Sequence, residues 1–154
     1  MPAVVSAPPP VPDRGPRSTP ITVVLADDHE LIRRSLRAVL EREHDMRVVA
    51  EAADLATMTR HVRRCRPRVL VLDLGMPDGS SIDAIRRLRA QVPGTAIVVV
   101  TMQEGAAFMR GTRAAGAAGY VLKEHAADEL PLAVRAAAAG ARYLSATARS
   151  LHGA

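Results

Sequence analysis

From Ile21 onward the apolar residues follow two alternating rhythms. ITVVLA (21–26), RVVAEA (47–52), VLVL (69–72), TAIVVVT (95–101) and AGYVLK (118–123) are short, nearly continuous apolar runs, the pattern of strands buried on both faces. Between them the apolar positions recur every three or four residues. HELIRRSLRAVLERE (29–43) carries Leu31, Ile32, Leu36, Val39 and Leu40, and DLATMTRHVRRC (54–65), with Asp54 as its cap, carries Leu55, Met58 and Val62. SIDAIRRLRAQV (81–92) turns Ile82, Ile85 and Leu88 inward and stops at Pro93-Gly94. EGAAFMRGTRAAG (104–116) is a helix of small residues packed through Phe108 and Met109; Gly111 weakens it by ~1 kcal/mol relative to alanine. DELPLAVRAAAAG (128–140) ends the series, with Pro131 tolerated in its first turn and Gly140 as terminator.

Five strands alternating with five helices call for right-handed crossovers, so the pattern predicts a doubly wound α/β domain with a parallel sheet between two helical layers. Ligands of such sheets bind outside the carboxyl ends of the strands. The residues expected there are Asp27 and Asp28 after the first strand, Asp73 at the exit of the third, Thr101 at the end of the fourth and Lys123 at the end of the fifth. Three carboxylates, a hydroxyl and an ammonium would then share one pocket. Clustered carboxylates repel unless a cation neutralises them, and a hard divalent ion with oxygen ligands, Mg²⁺ rather than a caged Ca²⁺, is the economical partner. Thr101 and Lys123 complement the outer oxygens of a phosphoryl group, and a carboxylate beside a metal is equipped to accept one. His29 and His125 lie next to this pocket but read as solvent-facing, and no histidine or cysteine spacing matches a zinc site. Asp78 reads as a turn residue.

Composition narrows the picture without changing it. The 154 residues fit one domain with a tail, and a 48% hydrophobic content supplies a core that must rely on aliphatic side chains because aromatics are 2%. The net charge of +5 comes from arginines scattered among 16 acids, with no dense basic run to mark a nucleic-acid surface. Among the 21 basic residues Lys123 is the one lysine. Cys65 is alone, which excludes an intramolecular disulfide and suits a reducing compartment. No apolar run is long enough for a membrane span and no signal-peptide pattern opens the chain, so a cytoplasmic protein without membrane partners is expected. Residues 1–20 hold seven of the 11 prolines and read as a disordered tail; residues 141–154 read as a linker-like segment.

The marks Asp27-Asp28, Asp73 with Met76-Pro77, Thr101, and Tyr120-Val121-Leu122-Lys123 appear in the order found in receiver domains of two-component response regulators, and residues 21–140 resemble that family. DDHELIRRSL, IVVVTM, GAAGYVLK and GARYLS are similar to the NarL/FixJ type, whose members carry a LuxR-type helix-turn-helix after the receiver. The resemblance implies a flavodoxin-like three-layer (βα)5 sandwich with a five-stranded sheet in the order 2-1-3-4-5. It implies that Asp73 accepts a phosphoryl group from a sensor histidine kinase. Asp28, Asp73 and the Gly75 backbone carbonyl would hold Mg²⁺ or Mn²⁺, with Asp27 acting through water. Lys123 would pair with the phosphoryl group, Thr101 would move to bond it, and Tyr120 would change rotamer as a switch. Phosphorylation-dependent homodimerisation is expected, and DNA contact only through an output domain missing from this chain; the sequence is either cut short before such a domain or a stand-alone receiver, and the linker-like YLSATARS favours the first.

Two positions depart from the general pattern. Met102 follows Thr101 where many receivers have a small residue, which would restrict the phosphoryl site, and Gly75 offers no side chain to an attacking water. Gly75 also argues against a phosphatase with an aspartyl-phosphate intermediate, which would place a second acid there. The missing G-x-G-x-x-G or Walker loop argues against a nucleotide or flavin module. A regulatory phosphoacceptor rather than an enzyme is the reading the sequence supports.

Overall fold

A computed structural model describes residues 19–102 and 105–145. The proline-rich segment 1–18, the start of the fourth predicted helix at Glu104 and the final 146–154 lie outside the described residues. The elements are β1 (Ile21–Ala26), α1 (Glu30–Glu41), β2 (Met46–Ala52), α2 (Leu55–Cys65), β3 (Val69–Asp73), α3 (Ser81–Gln91), β4 (Ala96–Thr101), α4 (Ala106–Ala115), β5 (Gly119–Leu122), α5 (Ala126–Ala138) and β6 (Tyr143–Leu144). One turn of 3₁₀ helix, Lys123–His125, joins β5 to α5. The sheet order is β2-β1-β3-β4-β5-β6, and every pairing is parallel.

The apolar runs form central strands because successive residues alternate between two cores. Val24, Leu70, Leu72, Ile97, Val99, Tyr120 and Leu122 face a cluster completed by α2, α3 and α4 through Leu55, Met58, Val62, Ile85, Leu88 and Met109. Their neighbours Val23, Leu25, Val69, Val71, Val98, Val100 and Val121 face the opposite cluster, closed by Leu36 and Leu40 of α1 and by Leu130, Ala133 and Val134 of α5. Each such buried aliphatic side chain contributes about 1.5–3 kcal/mol of transfer free energy, so both faces hold the parallel sheet in register. Asp54 caps α2 as expected, accepting from the Thr57 N–H at 2.6 Å.

Three expectations are corrected. The sheet has a sixth strand: Tyr143 and Leu144 run parallel to Gly119 and Tyr120, so the first part of the segment expected to be a linker is sheet edge, held by Tyr143 N–H to Ala118 O at 2.9 Å and Ser145 N–H to Tyr120 O at 3.1 Å. Pro131 is the sixth residue of α5 rather than part of its first turn, because the 3₁₀ turn runs straight into a helix beginning at Ala126. Its ring leaves the Ala127 carbonyl without the usual helical donor. Phe108 does not pack α4; it is 45% exposed while its neighbour Met109 is buried. The helical stripe of α1 shows the same limit, with Leu36 and Leu40 buried but Leu31 exposed.

Candidate functional site

Parallel strands place all their C-terminal ends on one edge. Asp27 and Asp28 follow β1, Asp73 is the last residue of β3, Thr101 the last of β4, and Lys123 begins the turn after β5. The register carries Asp73 beside Val100 and Thr101 beside Leu122, so these groups emerge at one level. Buried Val69–Leu72 delivers Asp73 to that edge with its own side chain buried as well.

Lys123 lies between two of the acids. Its Nζ is 2.8 Å from Asp27 Oδ2 and 3.3 Å from Asp73 Oδ2. Asp27 is fully buried and the lysine side chain is 6% exposed, so this pair is largely screened from water. Asp27 Oδ1 also accepts the His29 backbone N–H at 2.9 Å. Asp73 Oδ1 accepts the Gly75 N–H at 3.3 Å. Burial pushes the Asp73 carboxyl above its ordinary range; the Lys123 charge opposes the shift and the Asp27 charge adds to it. The pocket by itself therefore resists full negative charge on Asp73, and a further cation would relieve that resistance.

The surrounding residues hold this arrangement in place. Arg33 donates to the Asp27 carbonyl at 2.8 Å while its Nε lies 3.4 Å from Glu51, tying α1 to the end of β1. Ser81 Oγ is within 3.0 Å of the Asp73 carbonyl and 3.1 Å of the Leu74 carbonyl. Asp78 is more than a turn residue: its carboxylate accepts the Leu55 N–H at 2.7 Å and the Ala56 N–H at 3.1 Å, so the loop carrying Gly75 is clamped onto the N-terminus of α2. Nothing in the local spacing flags Arg33, Ser81 or Asp78, because their partners lie on other elements.

Ligand atoms of Asp27, Asp28, His29 and Asp73 all lie within 4.8 Å of one another. Asp28 Oδ1 is a buried oxygen that accepts no hydrogen bond among the described residues. A hard divalent cation fits this donor set of mostly carboxylate oxygens. His29 faces solvent as expected, its side chain 64% exposed, and its Nδ1 lies 3.1 Å from Asp28 and 3.5 Å from Asp27. His125 is half exposed beside Glu124.

The structure gathers Asp27, Asp28, Asp73, Gly75, Thr101 and Lys123 at one edge, as expected. Tyr120 is elsewhere. It is buried in the core of β5 and, with Met109 and Leu144, lines a separate cleft of about 270 Å³ between α4 and β6. Met102 is 73% exposed at a small cleft of about 90 Å³ lined by Thr101 and Lys123, standing at its rim.

Residues 23–135 match the response regulator receiver domain family model. The oxygen regulatory protein NreC of Staphylococcus epidermidis is 37% identical over 123 residues, covering 79% of this chain and 56% of NreC. The crystal structure of a LuxR-family two-component response regulator from Aurantimonas sp. SI85-9A1 superposes with a TM-score of 0.83 at 34% identity, covering 88% of this chain and 97% of that one. Salmonella typhimurium RcsB, a response regulator studied for its conformational dynamism in DNA interaction, superposes with a TM-score of 0.81 at 28% identity over 86% of this chain and 67% of its own. The chain thus spans a little over half of NreC. Extending over most of the described fold and carrying its acidic edge, these matches show that the chain belongs to the response regulator receiver domain family, with NarL/FixJ-type regulators among its relatives.

Proposed function

We propose that this chain is a phosphorylation-controlled switch in which Asp73 accepts a phosphoryl group from the phosphohistidine of a sensor kinase. The observation that carries the reading is the buried Lys123 ammonium held between Asp27 and Asp73 at the sheet edge. In the transfer an Asp73 carboxylate oxygen forms a bond to phosphorus, the bond from phosphorus to the donor imidazole nitrogen breaks, and that electron pair returns to the ring. Lys123 exchanges part of its contact with Asp73 for the new phosphoryl oxygens. Thr101, buried at the end of β4, moves to hydrogen-bond the same group.

Asp28, Asp73 and the Gly75 carbonyl would hold the Mg²⁺ or Mn²⁺, with Asp27 acting through water because its own carboxylate is engaged by Lys123 and the His29 N–H. When bound, the ion supplies positive charge that offsets the crowded carboxylates and the incoming phosphoryl oxygens. Thr101 and Tyr120 are the residues through which phosphorylation would shift the populations of the β4–α4 and β5 region. Gly75 leaves the space over Asp73 open: a Cβ there would sit 3.6 Å from Asp73 Oδ2.

The partners that follow are a sensor histidine kinase, a second copy of the chain on phosphorylation, and DNA through a helix-turn-helix domain in a longer protein acting in the cytoplasm. The relation to RcsB, whose DNA interaction is described, supports the last of these. No helix among the described residues is long and apolar enough to cross a membrane. Incubation with acetyl phosphate and Mg²⁺ should add the mass of one phosphoryl group, and Asp73→Asn should abolish the gain. An undiminished gain in that variant would refute Asp73 as the acceptor.

A further inference from the structure

We infer that the pole of the sheet opposite Asp73 carries an anion site, a cleft lined by Arg68, Arg89 and Arg142 that takes a short polyphosphate chain. Because the strands are all parallel, the turns that lead into β3, β4, β5 and β6 gather at this pole. Arg68 immediately precedes β3, Arg89 stands in the last turn of α3 ahead of β4, and Arg142 immediately precedes β6. All three line one cleft of about 400 Å³, which also takes in the C-terminal end of α5. The other lining residues are alanine, glycine and proline, so among the described residues neither a carboxylate nor an aromatic ring lines it.

Two of the arginines are held in place by backbone carbonyls. Arg68 donates to the Ala138 carbonyl at the end of α5, and Arg89 donates to the Pro93 carbonyl at 2.9 Å and to the Thr95 carbonyl at 3.0 Å. Carbonyls orient a guanidinium without cancelling its charge, and these bonds leave most of its N–H donors unused. Gly116 lies at φ +113°, and a Cβ there would meet Arg89 Cγ at 2.8 Å, so this glycine opens the path that the arginine stem follows along the cleft. The Arg142 guanidinium makes no hydrogen bond or ion pair among the described residues. Glu43 and Asp45, the acids where α1 gives way to β2 at the same pole, are both taken by Arg135. Three like charges with no carboxylate among them repel one another, and an anion in the cleft relieves that repulsion. Guanidinium groups pair with phosphate oxygens in a bidentate fork, and here they stand on separate elements around a space wider than one phosphate needs. With no ring to stack a base, the group recognised is the phosphate chain and not a nucleobase. A chain held by all three would also tie Arg142, and β6 behind it, to the ends of α3 and β3.

The test is calorimetric titration of the whole chain in EDTA with sodium tripolyphosphate and with ATP, together with amide NMR shifts that place the bound anion. Tripolyphosphate should bind, more weakly as salt rises, and should move the amide signals of Gly94, Gly116 and Gly140 around the cleft. Arg142→Gln and Arg68→Gln should each weaken binding about tenfold, the scale of one charge-assisted contact, and Arg142→Lys should weaken it less. Arg47→Gln removes the same charge from an exposed residue of β2 outside the cleft and should change the affinity by less than about twofold. ATP should bind within about threefold of tripolyphosphate, and a preference of about tenfold or more for ATP overturns recognition of the phosphate chain alone. Equal weakening by Arg47→Gln and Arg142→Gln makes net charge the cause and overturns the site. Absence of binding to the unmodified chain overturns it as well, and so do amide shifts confined to Gly75, Thr101 and Lys123 at the opposite edge.

Discussion

Lys123 shows how one side chain takes its meaning from neighbours that sequence distance conceals. Held between Asp27 and Asp73, it is the counter-charge that lets a fully buried aspartate remain in the fold. Removing one partner of a buried pair leaves the other uncompensated, at a cost of roughly 3 kcal/mol. Lys123→Met should lower stability by that order in EDTA, read by chemical denaturation, and Mg²⁺ should restore more stability to the variant than to the unmodified chain. Equal effects of Mg²⁺ on both would show that the lysine and the cation do not share the burden of these acids. The five strand-edge groups were legible in the sequence because a buried apolar run ending in a polar residue is an unusual local pattern. The contact of the His29 ring with Asp27 and Asp28 was not, because the type and exposure of His29 resemble those of any helix-start residue.

At the scale of elements, the loop between β3 and α3 is fastened by contacts that no periodicity announces. Asp78 closes two otherwise unpaired N–H groups at the start of α2, and Asp54 closes a third at Thr57. Asp78→Ala should cost about 1–2 kcal/mol, the range for losing a helix cap, measured as a shift in denaturation midpoint. The same variant should weaken Mg²⁺ binding, because the loop it frees carries Gly75; loss of stability with unaltered metal affinity would make Asp78 a cap alone. In α4, Gly111 stands where a Cβ would come within 3.3 Å of the Ile82 δ-methyl of α3. That methyl ends a flexible, half-buried side chain and can rotate away, so the gain in helix propensity should win. Gly111→Ala is expected to raise stability by about 0.5 kcal/mol, a fraction of the ~1 kcal/mol intrinsic difference, and a fall in melting temperature would show that the α3–α4 contact is rigid. Helix and strand identities were readable from apolar spacing, whereas β6 was not, since two residues offer no period and Tyr143-Leu144 become a strand only against β5.

Across the whole molecule, Arg135 of α5 joins distant parts of the chain. Its guanidinium meets Asp45 at 2.9 Å and Glu43 at 2.8 Å, where α1 gives way to β2. The Arg135 guanidinium holds the Asp45 carboxyl below the usual carboxylate range. A depressed carboxyl contributes stability that is present above its unfolded value and is lost as pH falls through the folded one. Because the pair is partly exposed and screened, Arg135→Met should cost only about 0.5–1 kcal/mol at neutral pH. The difference from the unmodified chain should shrink as pH falls below about 4, the unfolded carboxyl value, and a difference constant down to strong acid would exclude the ion pair as its source. By itself the sequence determined the alternation of strands and helices, the two buried faces of the sheet and the order of the strand-edge groups, because apolar period and chain direction are local properties that parallel topology carries to one edge. Only the tertiary structure decided that Lys123 bridges Asp27 and Asp73, that the His29 ring contacts Asp27 and Asp28 and that the sheet extends to β6. Those outcomes depend on side-chain direction and on contacts between elements far apart in the chain, which spacing along one strand or helix does not encode.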